Sequence, residues 1–412
     1  MSDNVQRYHA VRNQLRTMHP ASSTSKRLAR HLGTLGGMVA GIVAAGQVHL
    51  PKLALKAPDA TKAQSRTKRF ARFLRNDATQ FATFYEPFAR MVAADCSAAD
   101  CSAADCSAAD CSAPASSAPA SSAPACLTDG RSHETPLLIV FDSSAVGRGC
   151  AVLMASVVYQ QRALPLAWIV RKGKKGHFPS SDQRALLRRV RQIIPEEASA
   201  IFLGDGEFDS VALQRTLDEM GFDYVCRTAL STLVEDDQGE VFPIGELSPF
   251  AGERYVVVPG ASVTNQSYGP VQVVCWHEPP HEEAVPLVTT LECAEEAIRL
   301  YQRRFQIETL FSDQKSRGFH IHKSHISAPK RLSRLLMAVS LAYLWVIYLG
   351  TQSLQHGWYR QFHRTSRVDL SLFQLGLRLL DHMLNQGWPL HVAFSVPPPN
   401  TLHPPDSPQT VR

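Results

Sequence analysis

Three acidic residues that are far apart in the chain stand in settings where carboxylates do chemistry. Asp142 follows the apolar run LLIVF, and Asp205 directly follows the apolar run IFLG. Glu308 lies in the segment YQRRFQIETLFSDQK at residues 301–315. Oxygen-only ligands with open coordination positions are typical of Mg²⁺ or Mn²⁺ sites. We therefore predict that these three residues are catalytic and that they bind metal.

Carboxylates brought into one site repel one another, and the arrangement is stable chiefly when cations neutralise them. A pair of divalent ions about 3.5–4 Å apart meets this need and supports phosphoryl transfer. One ion then activates the attacking water or 3′-hydroxyl, and the other stabilises the leaving oxygen. The predicted cofactor is accordingly Mg²⁺, as two ions, with Mn²⁺ able to substitute.

The second carboxylate of this set has two acidic neighbours. Glu207 and Asp209 follow Asp205 closely in the sequence GDGEFDS, and either could be the ligand in its place. Asp205 is favoured because it is the first acidic residue after the apolar run. The sequence leaves both alternatives open.

Residues 301–315 are predicted to lie on one helix. At about 100° per residue, Tyr301, Arg304, Glu308 and Lys315 fall within a sector of roughly 60°. An adjoining arc is apolar and can pack on a core. Glu308 would then be held on a rigid element, with the other three side chains holding phosphates beside it. The alternative is a surface salt bridge between Arg304 and Glu308, worth only about 0.3–0.5 kcal/mol.

The elements that must position these residues follow an α/β pattern from residue 136 onward. PLLIVFDSS, CAVLMASVVYQ and RALPLAWIVRKG are predicted to be strands, and SSDQRALLRRVRQII a helix. The strand before Asp205, a helix at 211–221 and a strand at 223–229 come next. Three strands, helix, strand, helix, strand is the order of a ribonuclease H-like α/β core with a mixed sheet. Residues 230–292 contain short β-type runs and are predicted to be an all-β insertion.

The N-terminal part of the chain is basic and helical in pattern. Residues 1–92 contain 15 Lys and Arg against 4 Asp and Glu, a net charge of +11, which leaves −5 for the rest of the +6 chain. A solvated helix face explains the run RTKRFARFLRND at 66–77 equally well, but the excess charge over the whole module favours phosphate contacts. The predicted DNA-binding residues of this module are Lys68, Arg69, Arg72 and Arg75. The run RKGKK at 171–175 is either a DNA-contacting turn or a solvated loop.

Low-complexity sequence separates the basic module from the α/β part. AADCS occurs four times and is followed by APASS-type units, a composition too poor in large apolar side chains to fold. The predicted domains begin with a helical basic DNA-binding domain at 1–92 and a disordered linker at 93–130. The core follows in two parts, at 131–229 and, with the Glu308 helix, at 293–350, and the β-rich insertion at 230–292 separates them. A C-terminal helical region at 351–396 and a disordered tail at 397–412 complete the chain.

The beginning of the sequence shows no apolar signal segment, and the apolar stretch at 335–350 is shorter than a spanning helix. We therefore expect a cytoplasmic, nucleoid-associated protein with no membrane partner, and a buried core helix at 331–350.

The spacing Y-x2-R-x3-E-x6-K, formed by Tyr301, Arg304, Glu308 and Lys315, resembles the signature of bacterial insertion-sequence DDE transposases with a Tyr-Arg-Glu-Lys motif. FDSSAVGRG and FLGDGEFDS resemble that family's first and second aspartate regions, and the likeness covers roughly residues 136–350. The resemblance implies a catalytic, metal-binding triad of Asp142, Asp205 and Glu308. It also implies contacts to the DNA end by the other three signature residues.

The same resemblance implies what the protein does and with what. Members of that family act as homodimers on terminal inverted repeats and on target DNA, by cut-and-paste cleavage and strand transfer that can pass through a hairpin. Two alternatives stay open: a catalytically inactive DNA-binding protein derived from a transposase, and a ribonuclease H-like DNA nuclease.

Overall fold

A computed structural model of the protein describes residues 2–19, 24–58, 61–98, 136–176, 178–247, 249–250, 253–278, 283–363 and 368–397. Most of the predicted linker at 93–130, and all of the predicted tail at 397–412 except its first residue, lie outside the described residues.

The N-terminal part consists of helices. Their bounds are α1 Asp3–Thr17, α2 Lys26–Ala45, α3 Leu50–Lys56, α4 Ala63–Arg75, α5 Phe81–Phe84 and α6 Glu86–Ser97. Helix α4 has the two faces that its sequence predicts: Phe70, Phe73 and Leu74 are buried, whereas Lys68 and Arg72 are exposed. The burial of this apolar stripe is what holds the cationic face outward.

Helix α6 continues into the predicted linker. The first AADCS unit is its last turn, in which Ala93 and Cys96 are buried. The carboxylate of Asp95 accepts a hydrogen bond from the backbone N–H of Val396 at 3.1 Å. The prediction of a linker that begins at residue 93 is therefore wrong for this unit, because tertiary packing stabilises a sequence whose composition alone favours disorder.

A ten-stranded mixed sheet forms the centre of the molecule. Its strands are β1 Leu137–Val146, β2 Cys150–Tyr159, β3 Arg162–Lys172, β4 Ala200–Gly204, β5 Asp223–Arg227, β6 Leu233–Glu235, β7 Val241–Pro243, β8 Tyr255–Val263, β9 Tyr268–Trp276 and β10 Val285–Thr289.

The strand order is β3-β2-β1-β4-β5-β10-β9-β8-β6-β7. Strands β1, β4 and β5 run parallel to one another. Strand β2 is antiparallel to both of its neighbours, β1 and β3. The β-rich segment extends this sheet, because β10 pairs antiparallel with both β5 and β9. Residues 230–292 are therefore β-rich as predicted, and they continue the central sheet through β10.

The later helices are α7 Ser180–Ile193, α8 Val211–Glu219, α9 Ala294–Gln302, α10 Gln306–Gln314, α11 Pro329–Gln355 and α12 Leu372–Asn385. Helix α11 is the predicted core helix, and nearly every residue between Leu335 and Ile347 is buried. Ser371 and Gln374 form a capping box at the start of α12.

The prediction of one continuous helix through residues 301–315 is wrong. Helix α9 ends at Gln302, a 3₁₀ turn covers Arg303–Phe305, and α10 ends at Gln314. Lys315 has φ −100° and ψ −108°, outside the helical region. The tighter 3₁₀ geometry rotates the two halves relative to an ideal wheel. Phe305, at the end of this turn, is left 47% exposed.

The N-terminal helices pack directly on the sheet and on α11. Tyr85 donates a hydrogen bond to the Pro165 carbonyl of β3 at 2.6 Å and is fully buried. Arg334 of α11 donates to the carbonyls of Leu74 at 3.0 Å and Thr79 at 3.1 Å. The hydrophobic core is accordingly continuous from the helical part to the sheet.

Two helices, Lys26–Ala45 and Pro329–Gln355, are long and apolar enough to cross a membrane by length and composition alone. Their most apolar windows are 61% and 83% buried inside the protein, respectively. A core helix passes the same test of length and composition.

Candidate active site

Asp142 and Asp205 lie on neighbouring parallel strands. Asp205 directly follows β4, as predicted. Asp142 lies inside β1, opposite Met154 of β2, because β1 continues beyond the apolar run to Val146. The β1–β4 register pairs Val140 with Leu203, and continuing it by two residues brings Asp142 beside Asp205. Adjacent strands lie about 4.7–4.9 Å apart, so the register places the two carboxylates on neighbouring positions.

Backbone donors orient both carboxylates. The N–H of Ser143 donates to Asp142 Oδ1 at 2.6 Å, and the N–H of Glu207 donates to Asp205 Oδ1 at 2.9 Å. A donor on one oxygen leaves the other carboxylate oxygen with capacity to accept a further ligand.

Arg304 joins the third carboxylate to this pair. Its Nη1 lies 3.9 Å from Asp205 Oδ2, and its Nη2 lies 3.5 Å from Glu308 Oε1. The guanidinium also lies over the rings of Phe305 at 4.9 Å and Tyr301 at 5.7 Å. Arg304 is only 8% exposed, so burial strengthens these electrostatic contacts relative to a surface pair.

The pKa of Asp142 is raised to about 6. Burial is the largest cause, followed by the negative charge of Asp205, and Glu308 makes a smaller contribution in the same direction. The hydrogen bond from Ser143 and the charge of Arg304 oppose the rise. The negative charges of Asp205 and Glu308 therefore reach Asp142 and disfavour its ionisation.

A buried ion pair holds α10 against the sheet. Arg162 of β3 donates to Asp313 Oδ2 at 3.0 Å, and both side chains are largely buried. Burial raises the pKa of Asp313 to about 6, against the charge of Arg162. Glu308 lies in the first turn of the same short helix, so this pair fixes the element that carries Glu308.

Lys315 contacts strand β1, which carries Asp142. Its Nζ donates to Ser144 Oγ at 2.5 Å, and the ammonium lies 5.7 Å from the centre of the Phe311 ring. Burial lowers the pKa of Lys315, and the positive charge of Lys175 adds to that effect. The structure thus brings Lys315 near Asp142 although the helix ends before it.

The predicted DNA contacts other than Lys315 fall into two groups. Tyr301 and Arg304 are 4% and 8% exposed and face the interior of the site, where burial raises the pKa of the Tyr301 hydroxyl. The second group lies on α4, away from the cleft: Lys68, Arg72 and Arg75 are exposed and Arg69 is half-buried.

The two alternative acidic ligands have different surroundings. Glu207 faces the same cleft as Asp205, but its Oε2 accepts from Ser143 Oγ at 2.8 Å and its Oε1 from the Phe178 N–H at 3.4 Å. Asp209 accepts from Thr228 Oγ1 at 3.0 Å and lines a different cleft. The geometry favours Asp205 as the partner of Asp142.

An open cleft of about 420 Å³ contains the paired aspartates. Sequence reasoning did not assign two of its cations, Lys175 and Arg227. Lys175 belongs to the RKGKK run, whose composition was the available signal. Arg227 ends β5 and carries no motif, so only strand pairing reveals it. The lining residues are Asp142, Ser143, Lys175, Gly176, Asp205, Gly206, Glu207, Arg227 and Arg304.

Within the described ranges, no group of three or more His, Cys, Asp or Glu side chains is gathered closely enough to hold a metal ion. The donor chemistry nevertheless fits a hard divalent cation, because the pKa of Asp142 is raised by burial and by neighbouring carboxylates, and added positive charge stabilises such a group in its ionised form. The guanidinium of Arg304 provides part of that charge in this conformation. The three predicted ligands, Asp142, Asp205 and Glu308, are therefore not close enough together in this conformation to bind one metal ion.

Comparisons with known proteins define the class. A family model described as a transposase DDE domain matches residues 121–345, more than half of the 412 residues. The chain therefore belongs to the DDE transposase domain family. Transposases of this type generally use divalent metal ions and act on DNA.

A solved structure described as a piggyBac transposase synaptic complex with hairpin DNA is similar to this chain at 9% sequence identity, with a TM-score of 0.39. The similarity covers 93% of this chain and 79% of the other, and a TM-score of this size assigns nothing on its own. No curated protein matches the sequence.

Proposed function

We propose that the protein is the transposase of a bacterial insertion sequence, which binds terminal inverted repeats and catalyses metal-dependent cleavage and transfer of DNA strands. One observation carries this proposal. In a chain of the DDE transposase family, Asp142 and Asp205 are neighbours across parallel strands, and Arg304 links Asp205 to Glu308. Two-metal phosphoryl transfer needs carboxylates from separate parts of the chain at one site, and the contacts of Arg304 bring Asp205 and Glu308 to the same site as Asp142.

Asp142 and Asp205 would hold divalent ions, with Glu308 completing the set from α10. The bound ions, Mg²⁺ or Mn²⁺, supply activation of the attacking hydroxyl and stabilisation of the leaving oxygen. Arg304 keeps Asp205 and Glu308 neutralised until an ion binds, and Lys315 offers its ammonium to a backbone phosphate of the DNA end. Tyr301 packs against Arg304 and fixes the guanidinium plane.

The strand order from β3 to β5 supports a ribonuclease H-like core, because β1, β4 and β5 are parallel and β2 is antiparallel between β1 and β3. The cations of α4 form the sequence-independent DNA contact. By resemblance, the active unit is a homodimer, cleavage is of the cut-and-paste type with a hairpin step, and the protein is cytoplasmic.

The test uses the purified full chain, Mg²⁺, and a duplex ending in the inverted repeat that flanks the coding region. Asp142→Ala and Glu308→Gln should lower the rate of strand cleavage by about 10²–10³-fold, the scale set by losing an electrostatic stabiliser of the transition state. DNA affinity, followed by fluorescence anisotropy, should stay close to that of the wild type. Glu296→Gln is the matched control, since Glu296 is an exposed carboxylate on α9. Normal cleavage by Asp142→Ala would show that the site is wrong.

One observation favours a second candidate, a catalytically inactive DNA-binding protein derived from a transposase. Among the described residues, the three predicted carboxylates are not close enough together to bind one metal ion. The same experiment separates the candidates, because this protein would bind the repeat without cutting it. A ribonuclease H-like nuclease would cut but would form no strand-transfer product with a second duplex.

A further inference from the structure

The loop between β3 and α7 is held against the catalytic strand. The N–H of Gly176 donates to Ser143 Oγ at 2.9 Å, and that hydroxyl donates to Glu207 at 2.8 Å. At the base of the loop, the N–H of Gly173 donates to the Gly149 carbonyl at 3.1 Å. Arg171 forms an ion pair with Asp182 of α7. These contacts fix the backbone on both sides of Lys174 and Lys175.

Lys175 lines the cleft together with both aspartates and Arg304, and it acts on Lys315 from this position. Gly176, the residue after Lys175, donates to Ser143, and the Lys315 ammonium donates to Ser144, so two consecutive residues of β1 bring both lysines to the same part of the strand. In addition to burial, the positive charge of Lys175 contributes to the lowered pKa of Lys315. Among the described residues, neither group has a carboxylate within ion-pair distance; the hydrogen bond of Lys315 goes to the neutral Ser144 hydroxyl. Two like charges held close by fixed backbone are stabilised when an anion lies between them.

We propose that Lys175 and Lys315 together bind one phosphate of the DNA strand that enters the cleft, next to the phosphate that reacts at the aspartates. This inference rests on the proposed function and adds a residue outside the Tyr-Arg-Glu-Lys signature. Each ammonium supplies rotatable donors to a tetrahedral anion, so a pair of them holds a phosphate without reading a base. Lys175 is therefore a phosphate-binding residue that sets how far the strand enters the cleft.

The first arm of the test compares Lys175→Ala with Lys174→Ala in the full-length protein. Lys174 is the matched control, because it is an exposed neighbour on the same loop and does not line the cleft. Lys175→Ala should slow cleavage of the inverted-repeat duplex about 10- to 100-fold, the loss expected for one charged hydrogen bond. Lys174→Ala should stay within about twofold of the wild type, and Lys175→Arg should recover most of the lost rate.

The second arm uses the DNA as the partner in a double-mutant cycle. Duplexes are prepared in which single phosphates around the cleavage position are replaced by neutral methylphosphonates. At one phosphate, the replacement should slow the wild type about 10- to 100-fold and slow Lys175→Ala hardly further, because that variant already lacks the ammonium that binds there. At the remaining phosphates, the effects of the two changes should multiply.

Two outcomes would overturn the inference. In one, the effects of Lys175→Ala and the methylphosphonate multiply at every phosphate; in the other, Lys174→Ala is as slow as Lys175→Ala. Failure of the proposed function is distinguishable, since the wild-type protein would then not cleave the unmodified duplex with Mg²⁺ at all.

Discussion

The guanidinium of Arg304 lies 3.9 Å from the carboxylate of Asp205, although the residues belong to a 3₁₀ turn and to the end of a strand far apart in the chain. The same group lies 3.5 Å from Glu308. Both contacts are longer than a good charged hydrogen bond, so they neutralise charge without locking the geometry. Arg304 thus supplies positive charge beside Asp205 and Glu308, as a bound cation would.

Arg304→Met should make the protein respond more strongly to metal. Removing the guanidinium leaves Asp205 and Glu308 without their shared cation, so binding of Mn²⁺ relieves more repulsion than in the wild type. The increase in Tm between EDTA and saturating Mn²⁺ should be larger in the variant by a few degrees, on the scale of about 2–4 °C per kcal/mol for a chain of this size. Arg299→Met is the control, since Arg299 is exposed and pairs with the exposed Glu296 on the same helix. An equal Mn²⁺ response in wild type and Arg304→Met would contradict this role for Arg304.

Asp142→Asn should stabilise the metal-free protein at alkaline pH. The folded-state pKa of Asp142, about 6, exceeds the value near 3.9 expected in an unfolded chain. Above pH 6 the folded protein therefore carries an unfavourable ionised carboxylate, and stability rises as pH falls from about 6 towards 4. The free energy of unfolding at pH 8 should increase by about 1–3 kcal/mol in the variant.

Urea unfolding in EDTA at several pH values measures this gain, which should shrink steadily below pH 6. Glu296→Gln, at an exposed carboxylate outside the site, is the control substitution. A variant less stable than the wild type at pH 8 would show that Asp142 is not the strained carboxylate of the site.

Substitutions at the three neighbouring acids should give different results. Asp205→Asn should abolish cleavage, because Asp205 is the neighbour of Asp142 across the strands. Glu207→Gln should keep the rate within about tenfold, the scale of one hydrogen bond, since its two oxygens already accept from Ser143 of β1 and from the Phe178 N–H. Asp209→Asn should leave the rate unchanged. Single-turnover cleavage with Mg²⁺ checks all three, and loss of activity in Glu207→Gln alone would transfer the ligand role to that residue.

The basic face of α4 should determine the salt dependence of DNA affinity. The triple variant Lys68→Gln, Arg72→Gln, Arg75→Gln removes exposed cations and leaves the buried stripe of α4 untouched. The slope of log affinity against log salt should decrease by about 0.9 for each phosphate that the variant no longer neutralises, to a similar extent on specific and unrelated duplexes. Arg215→Gln on α8 is the control. A slope equal to that of the wild type would remove α4 from the DNA-binding surface.

Local sequence patterns predicted a helix or strand correctly where the apolar residues of that one segment show a regular spacing or an unbroken run. The stripe of Phe70, Phe73 and Leu74 indicated α4, and the apolar run before Asp205 indicated β4. The pairing of β10 with β5 could not be predicted, because strand pairing depends on contacts far apart in the sequence. The helical AADCS unit was missed for the same reason, since its stability comes from tertiary burial of Ala93 and Cys96.

In the candidate site, the motif predicted which residues lie close together, but it did not predict the shape of the backbone or every cation of the cleft. The signature spacing brought Arg304, Glu308 and Lys315 to one site even though the assumed continuous helix is broken at Arg303–Phe305. The apolar periodicity runs through the break without a Gly or Pro to mark it, so the sequence contained no local signal for the 3₁₀ turn. Arg227 was missed because its place in the cleft depends on the position of β5 in the sheet.

The docking of the N-terminal helices on α11 sets an order of events during synthesis. Arg334 supplies donors to the end of α4, and α11 is packed against both α2 and α4. A ribosome must therefore release the chain through residue 355 before the first helices to emerge can reach their final packing. Translation products that stop within the sheet would expose the apolar faces of those helices, and they are the species that chaperones and proteases would meet first.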